Sequence, residues 1–129
     1  MKIDHIALWV IDLEEMRQFY EEYFKGTAGE KYHNPKKEFE SYFISFADGC
    51  RLELMYNPNI PGKQSENNKQ HLGLIHFAVS VGSKEQVDEL TVRLRKDGFR
   101  IIGEPRTTGD GCYESVVLDP EGNRVEITE

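Results

Sequence analysis

Ile3-Asp4-His5-Ile6-Ala7-Leu8-Trp9-Val10 opens the chain, and Leu74-Ile75-His76-Phe77-Ala78-Val79-Ser80-Val81 repeats its pattern past the midpoint. A second pair follows: Asp48-Gly49-Cys50-Arg51-Leu52-Glu53-Leu54 returns as Glu121-Gly122-Asn123-Arg124-Val125-Glu126-Ile127. Each copy carries one histidine and one glutamate, at nearly the same separation. An internal repeat of this length means that one supersecondary unit has been built twice, which fixes the architecture before any residue-level argument.

The intervening segments repeat in order. A strand over about Lys2 to Ile11 leads into Asp12-Leu13-Glu14-Glu15, a capping box that opens a helix. Leu13, Met16, Tyr20, Tyr23 and Phe24 recur at helical spacing, and Gly26 supplies the stop. Extended segments follow near Gly29 to His33, Phe39 to Phe46 and Cys50 to Tyr56, with turns at Asn34-Pro35 and Ala47-Asp48-Gly49. The second half gives a strand over Leu72 to Val81 and a capping box at Ser83-Lys84-Glu85-Gln86. Its helix is striped by Val87, Leu90 and Leu94 and ends at Gly98. Strands follow near Phe99 to Gly103, Cys112 to Leu118 and Asn123 to Thr128. The expectation is an α+β chain of two tandem βαβββ modules, about 1–56 and 72–129, within one domain over 1–129. Residues 57–71, rich in polar and turn-forming types, read as a linker and a candidate lid.

At 129 residues, with 38% hydrophobic and 30% charged content, the chain can bury a core of its own. No apolar stretch is long enough to span a bilayer. The first strand begins so early that no signal peptide is expected, and a cytoplasmic protein follows. The net charge of −7 argues against nucleic acid or an anionic membrane as partner. It leaves room for an anionic small molecule, since a bound cation or local arginines can reverse the field in a pocket. Cys50 and Cys112 lack metal-binding spacing and are expected to be reduced bystanders.

Strand alternation decides which way the repeated residues point. Ile6, Leu8 and Val10 share one face, and His5, Ala7 and Trp9 the other; Phe77 and Val79 likewise oppose His76, Ala78 and Ser80. Leu52 and Leu54 oppose Arg51, Glu53 and Met55, while Val125 and Ile127 oppose Arg124, Glu126 and Thr128. The aliphatic face suits packing on the helix. The other face carries carboxylates, which are costly to bury without a charge partner. If those faces are concave, His5, Glu53, His76 and Glu126 converge as two nitrogen and two oxygen ligands on one divalent cation, with positions left for substrate. His33 and His71 have no repeat partner and are left outside the set.

On these residues the chain resembles the vicinal oxygen chelate superfamily over essentially its whole length. The His5, Glu53, His76 and Glu126 quartet and the segment Arg51-Leu52-Glu53-Leu54-Met55-Tyr56-Asn57 resemble the glyoxalase I pattern. The resemblance implies curved mixed sheets around a metal-binding cleft, one divalent ion (Zn, Ni, Co or Mn) and a homodimer. It implies conversion of the hemithioacetal of methylglyoxal and glutathione into a lactoyl thioester through a metal-bound enediolate. Glu126 would then be the base and Glu53 its partner, with both also ligating metal. Trp9 stands where that family commonly has an arginine, and Trp9, Met55, Arg51 and Arg124 are candidate substrate contacts. Three alternatives stay open: another metal-dependent isomerase or epimerase, an iron-dependent dioxygenase, and a non-catalytic small-molecule binder with an aromatic cleft (Trp9, Tyr56, Tyr113).

Overall fold

The computed structural model describes residues 1–62, 70 and 72–129. Residues 63–69 and 71 of the expected linker, His71 among them, lie outside the described residues. The chain divides into two compact units, Met1–Gln64 and Ser65–Glu129, and each is an α+β module with its own sheet.

In the first unit β1 (His5–Trp9) runs into α1 (Leu13–Phe24), then β2 (Thr27–Ala28), β3 (Tyr32–Asn34), β4 (Phe39–Ser45) and β5 (Arg51–Tyr56). β1 and β5 pair in parallel, with His5 beside Arg51, Ala7 beside Glu53 and Trp9 beside Met55. β5 pairs antiparallel with β4, which carries both β2 and β3 on its far side. The helix begins where expected: the Asp12 carboxylate accepts hydrogen bonds from the backbone N–H groups of Glu14 and Glu15 at 3.1 and 2.9 Å. These satisfy two amides that the first helical turn leaves without partners. The buried stripe of α1 is Leu13, Met16, Phe19, Tyr20 and Phe24, and it packs on β4 and β5, whose Ile44, Leu52 and Leu54 are also buried. Phe19, rather than Tyr23, completes the stripe.

Two local expectations are corrected. The helix stops at Lys25, which adopts the left-handed conformation (φ 55°), and not through backbone freedom at Gly26. Gly26 is required for another reason: a Cβ there would lie 2.4 Å from the Cγ2 of buried Ile44, so a side chain would wedge the helix end off the sheet. The single strand expected at Gly29 to His33 is two short ones, β2 and β3, and the first unit therefore reads βαββββ.

The second unit comprises β6 (Phe77–Ser80), α2 (Lys84–Lys96), β7 (Ile101–Thr107), β8 (Tyr113–Leu118) and β9 (Arg124–Thr128) in the order βαβββ. β6 and β9 are parallel, with Ala78 beside Glu126, and β8 and β7 extend the sheet antiparallel. Ser83 caps α2 by accepting from the Gln86 N–H at 3.3 Å. Val87, Thr91 and Leu94 are the buried stripe of α2, facing Val117, Val125 and Ile127. Thr91 sits where Leu90 was expected to contribute. Its hydroxyl donates to the Val87 carbonyl at 2.6 Å and meets the Ser115 hydroxyl at 2.6 Å, so both buried polar groups are satisfied. The strand expected from Leu72 is shorter because Gly73 turns the backbone at φ 103°, leaving His76 immediately before β6. β7 reaches Thr107 and carries two register shifts, between Ile101 and Gly103 and between Gly103 and Arg106. The outer strand bordering each sheet on the side away from β1 and β6 is thus irregular, split into β2 and β3 in the first unit and shifted in register in the second.

Among the described residues no helix is long and apolar enough to cross a membrane.

Candidate metal centre

Parallel pairing of β1 with β5 and of β6 with β9 sets the site residues. In each unit the histidine lies two residues upstream of the position paired with the glutamate, so alternation sends both side chains to the face away from the helix. His5 Nε2 lies 3.7 Å from Glu53 Oε2, and His76 Nε2 lies 3.5 Å from Glu126 Oε2. The carboxylates are sunk in the sheets, with 15% and 17% of their side chains exposed, while the imidazoles stand out at 40% and 44%.

The donor chemistry fits a borderline divalent cation. One ion bonded at about 2.1 Å to a ring nitrogen and a carboxylate oxygen holds them about 3.0 Å apart in octahedral geometry and about 3.4 Å apart in tetrahedral geometry. The observed 3.7 and 3.5 Å lie close to the tetrahedral span and are about 0.5–0.7 Å wider than the octahedral one. Within either unit the pair supplies two donors, and among the described residues no three His, Cys, Asp or Glu side chains gather around a point. Protein zinc sites normally use three or four protein ligands. Two donors in either unit fall short of that number.

The surroundings of the two halves differ. In the first, His5 Nδ1 donates to Asp4 Oδ2 at 3.0 Å, and Asp4 Oδ2 also accepts from the Arg51 guanidinium at 2.5 Å. Asp4 is absent from the residues picked out by sequence, although its place beside His5 was a usable signal. The hydrogen bond from His5, joined by the Arg51 contact and charge, holds its carboxyl below the ordinary aspartate range. Arg51 also lies 4.3 Å over the Phe43 ring, and that ring meets His5 edge-on at 5.4 Å. Arg51 is thus tied into an ion pair on the site face. Trp9 remains 46% exposed, edge-on to Phe39 at 6.0 Å, beside half-buried Met55 on the paired strand.

In the second unit the neighbour of the pair is another acid. Burial, then the charge of Glu114, raises the pKa of Glu126 above the ordinary glutamate range. Glu114 itself is met by Arg106 at 3.5 Å. No sequence signal marks Glu114, because only the β8–β9 register brings it beside Glu126. Arg124 lines an open groove of about 490 Å3 with Gln70, Arg100, Ile101 and Ile102.

Each α+β unit presents one histidine and one glutamate from a pair of parallel strands, so the same arrangement is built twice. The chain belongs to the Glyoxalase/Bleomycin resistance protein/Dioxygenase superfamily, whose family model matches residues 2–127. It is 30% identical over 126 residues to the uncharacterized protein YqjT of Bacillus subtilis, covering 95% of this chain and 94% of that one. It is 29% identical over 131 residues to a probable trivalent organoarsenical cleaving enzyme of the same organism, covering 98% and 79%. Among solved structures, a possible glyoxalase from Bacillus cereus superposes with a TM-score of 0.72 at 28% identity, over 100% of this chain and 99% of that one. Glyoxalase I of Leishmania major shares the fold, with a TM-score of 0.79 at 24% identity, over 100% and 86% of the two chains.

Proposed function

We propose that the protein is a divalent-metal-dependent lyase or isomerase of glyoxalase I type, moving a proton between adjacent carbons of a hemithioacetal of methylglyoxal and a thiol such as glutathione. The observation that carries this reading is the duplicated pair: one histidine nitrogen facing one glutamate oxygen on the open face of each sheet. His5, Glu53, His76 and Glu126 would hold the ion, each unit giving two donors. The second pair comes from the same chain or from a second copy in a homodimer. A Zn, Ni, Co or Mn ion supplies Lewis acidity that polarises neighbouring oxygens of the substrate and acidifies the intervening C–H.

The remaining work falls to this chain's own side chains. Glu126 takes the proton and Glu53 serves as the partner carboxylate. Burial, joined by the charge of Glu114, raises the pKa of Glu126 and so makes its carboxylate the stronger proton acceptor. His5 and His76 are fixed donors. Trp9 and Met55 offer apolar surface to the substrate, whereas Arg51 is engaged by Asp4 and serves first to hold that carboxylate. A cytoplasmic location accords with a thiol-dependent detoxifying reaction.

Protein stripped of metal and reloaded separately with nickel, cobalt, zinc or manganese should form thioester from methylglyoxal plus glutathione. Activity should disappear in Glu126→Gln with the fold intact. Undiminished turnover in that variant would reject the assignment of the base, and tight metal binding without turnover would reject the substrate. A second reading draws on the organoarsenical relative and on the exposed Cys112 thiol, a soft ligand for trivalent arsenic. Release of inorganic arsenite from a trivalent organoarsenical by iron-loaded protein supplied with dioxygen, which would oxidise the carbon as the C–As bond breaks, and loss of that release in Cys112→Ser, would favour it over the first.

A further inference from the structure

The repeat invites a comparison of its two arginines, each two residues before the glutamate. Arg51 is held by Asp4 at 2.5 Å and covered by the Phe43 ring at 4.3 Å. In the second unit Ile75 occupies the position of Asp4. Val116, paired with Glu126 as Phe43 is paired with Glu53, occupies the position of the ring. Arg124 has therefore lost both groups that restrain its counterpart. Among the described residues it has no acidic partner, and neither has Arg100. In a chain with 23 acidic and 16 basic residues, two guanidinium groups that line one groove with no acidic partner among the described residues call for an explanation.

The strand register brings them together. Leu118 pairs with Arg124 on β9, and on its other side its N–H donates to the Arg100 carbonyl at 2.9 Å. Residues opposite one another across a sheet share a face, so Arg100 and Arg124 flank Leu118 about 10 Å apart at the backbone, two strand spacings. Long side chains from those positions can close on one small group between them. Alternation along β9 also puts Arg124 on the face of Glu126, one repeat away. The groove they line, with Gln70, Ile101 and Ile102, belongs entirely to the second unit.

We propose that Arg124 and Arg100 form an oxyanion-binding site of the second unit, which takes the carboxylate or phosphate of a small ligand in the groove lined by Gln70, Ile101 and Ile102. Guanidinium forks match planar oxyanions by paired, charge-assisted hydrogen bonds, and Gln70 adds an amide donor at the rim. The site's use in catalysis rests on the proton-transfer reading above: it would anchor an anionic tail of the substrate beside Glu126. Binding itself requires neither metal nor turnover.

The test uses metal-free protein titrated separately with succinate and with inorganic phosphate, followed by calorimetry and by NMR of the arginine Nε–H signals. At least one anion should bind in the millimolar range or tighter and move two arginine signals. Arg124→Gln and Arg100→Gln should each weaken binding about ten-fold or more, the worth of one charge-assisted contact. Arg95→Gln, whose guanidinium is paired with Glu104 at 2.5 Å, should bind as the parent does. A preference for succinate identifies a carboxylate ligand, and a preference for phosphate a phosphorylated one. Failure of both anions to bind, or parent-like binding by both groove variants, overturns the proposal. Because the readout is anion binding in metal-free protein, absence of glyoxalase turnover leaves its outcome untouched.

Discussion

The hydroxyl pair between α2 and β8 makes a sharp quantitative test of how the second unit is held together. Thr91 and Ser115 are each 1% exposed, and their hydroxyls are 2.6 Å apart. Since Thr91 donates to the Val87 carbonyl, Ser115 must donate to Thr91. Thr91→Val keeps the shape of the side chain but leaves the Ser115 hydroxyl without its acceptor in an apolar seam. A buried group left unsatisfied costs about 1–3 kcal/mol, here about 2. For a chain of this length that is roughly an 8 °C fall in melting temperature. Ser115→Ala leaves Thr91 still bonded to Val87 and should cost about 1 kcal/mol. The double variant has no orphaned hydroxyl and should be no worse than Thr91→Val alone, a coupling of about 1 kcal/mol or more. Urea unfolding of the four proteins, followed by far-UV circular dichroism, measures the cycle. Strictly additive losses would refute the pairing.

Two further outcomes concern the candidate site. Asp4→Asn should weaken divalent-metal binding about ten-fold in a chelator competition, because the carboxylate that fixes the His5 tautomer is gone; unchanged affinity would sink that role. Glu126 has a folded-state pKa raised above its unfolded value, so the stability it confers is fully present at low pH and is lost as pH rises through the folded value. With chelator present, Glu126→Gln should therefore melt above the parent at neutral pH, and the gap should close near the ordinary glutamate pKa of about 4.3. A gap independent of pH would contradict the raised pKa that burial and the charge of Glu114 give Glu126.

The duplicated pairs were legible because two simple rules act on them. Period-two alternation assigns His5, Glu53, His76 and Glu126 to the face away from Leu52, Leu54, Val125 and Ile127, and the repeat says which strands belong together. Asp12 and Ser83 were legible as caps because capping is local in sequence. What escaped depends on register, which no short window contains. Asp4 reaches Arg51 only because β1 lies parallel to β5, and Glu114 meets Glu126 only through the β8–β9 pairing. Thr91 displaced Leu90 from the stripe because a polar side chain can be buried when Ser115 waits opposite. The stop after α1 was credited to Gly26 on backbone grounds, whereas the constraint at that residue is the closeness of Ile44.

The irregularity of the outer strands bears on how each sheet resists edge-to-edge aggregation. A straight outer strand with free N–H and C=O groups is a template on which another chain can add. In the first unit that border is split into β2 and β3, two and three residues long. In the second, β7 is interrupted by two register shifts and holds Pro105, which has no N–H to offer. Neither border presents an unbroken ladder of the length that cross-β growth recruits. The kinks that look like imperfections in the repeat leave these two borders poor templates for an added strand.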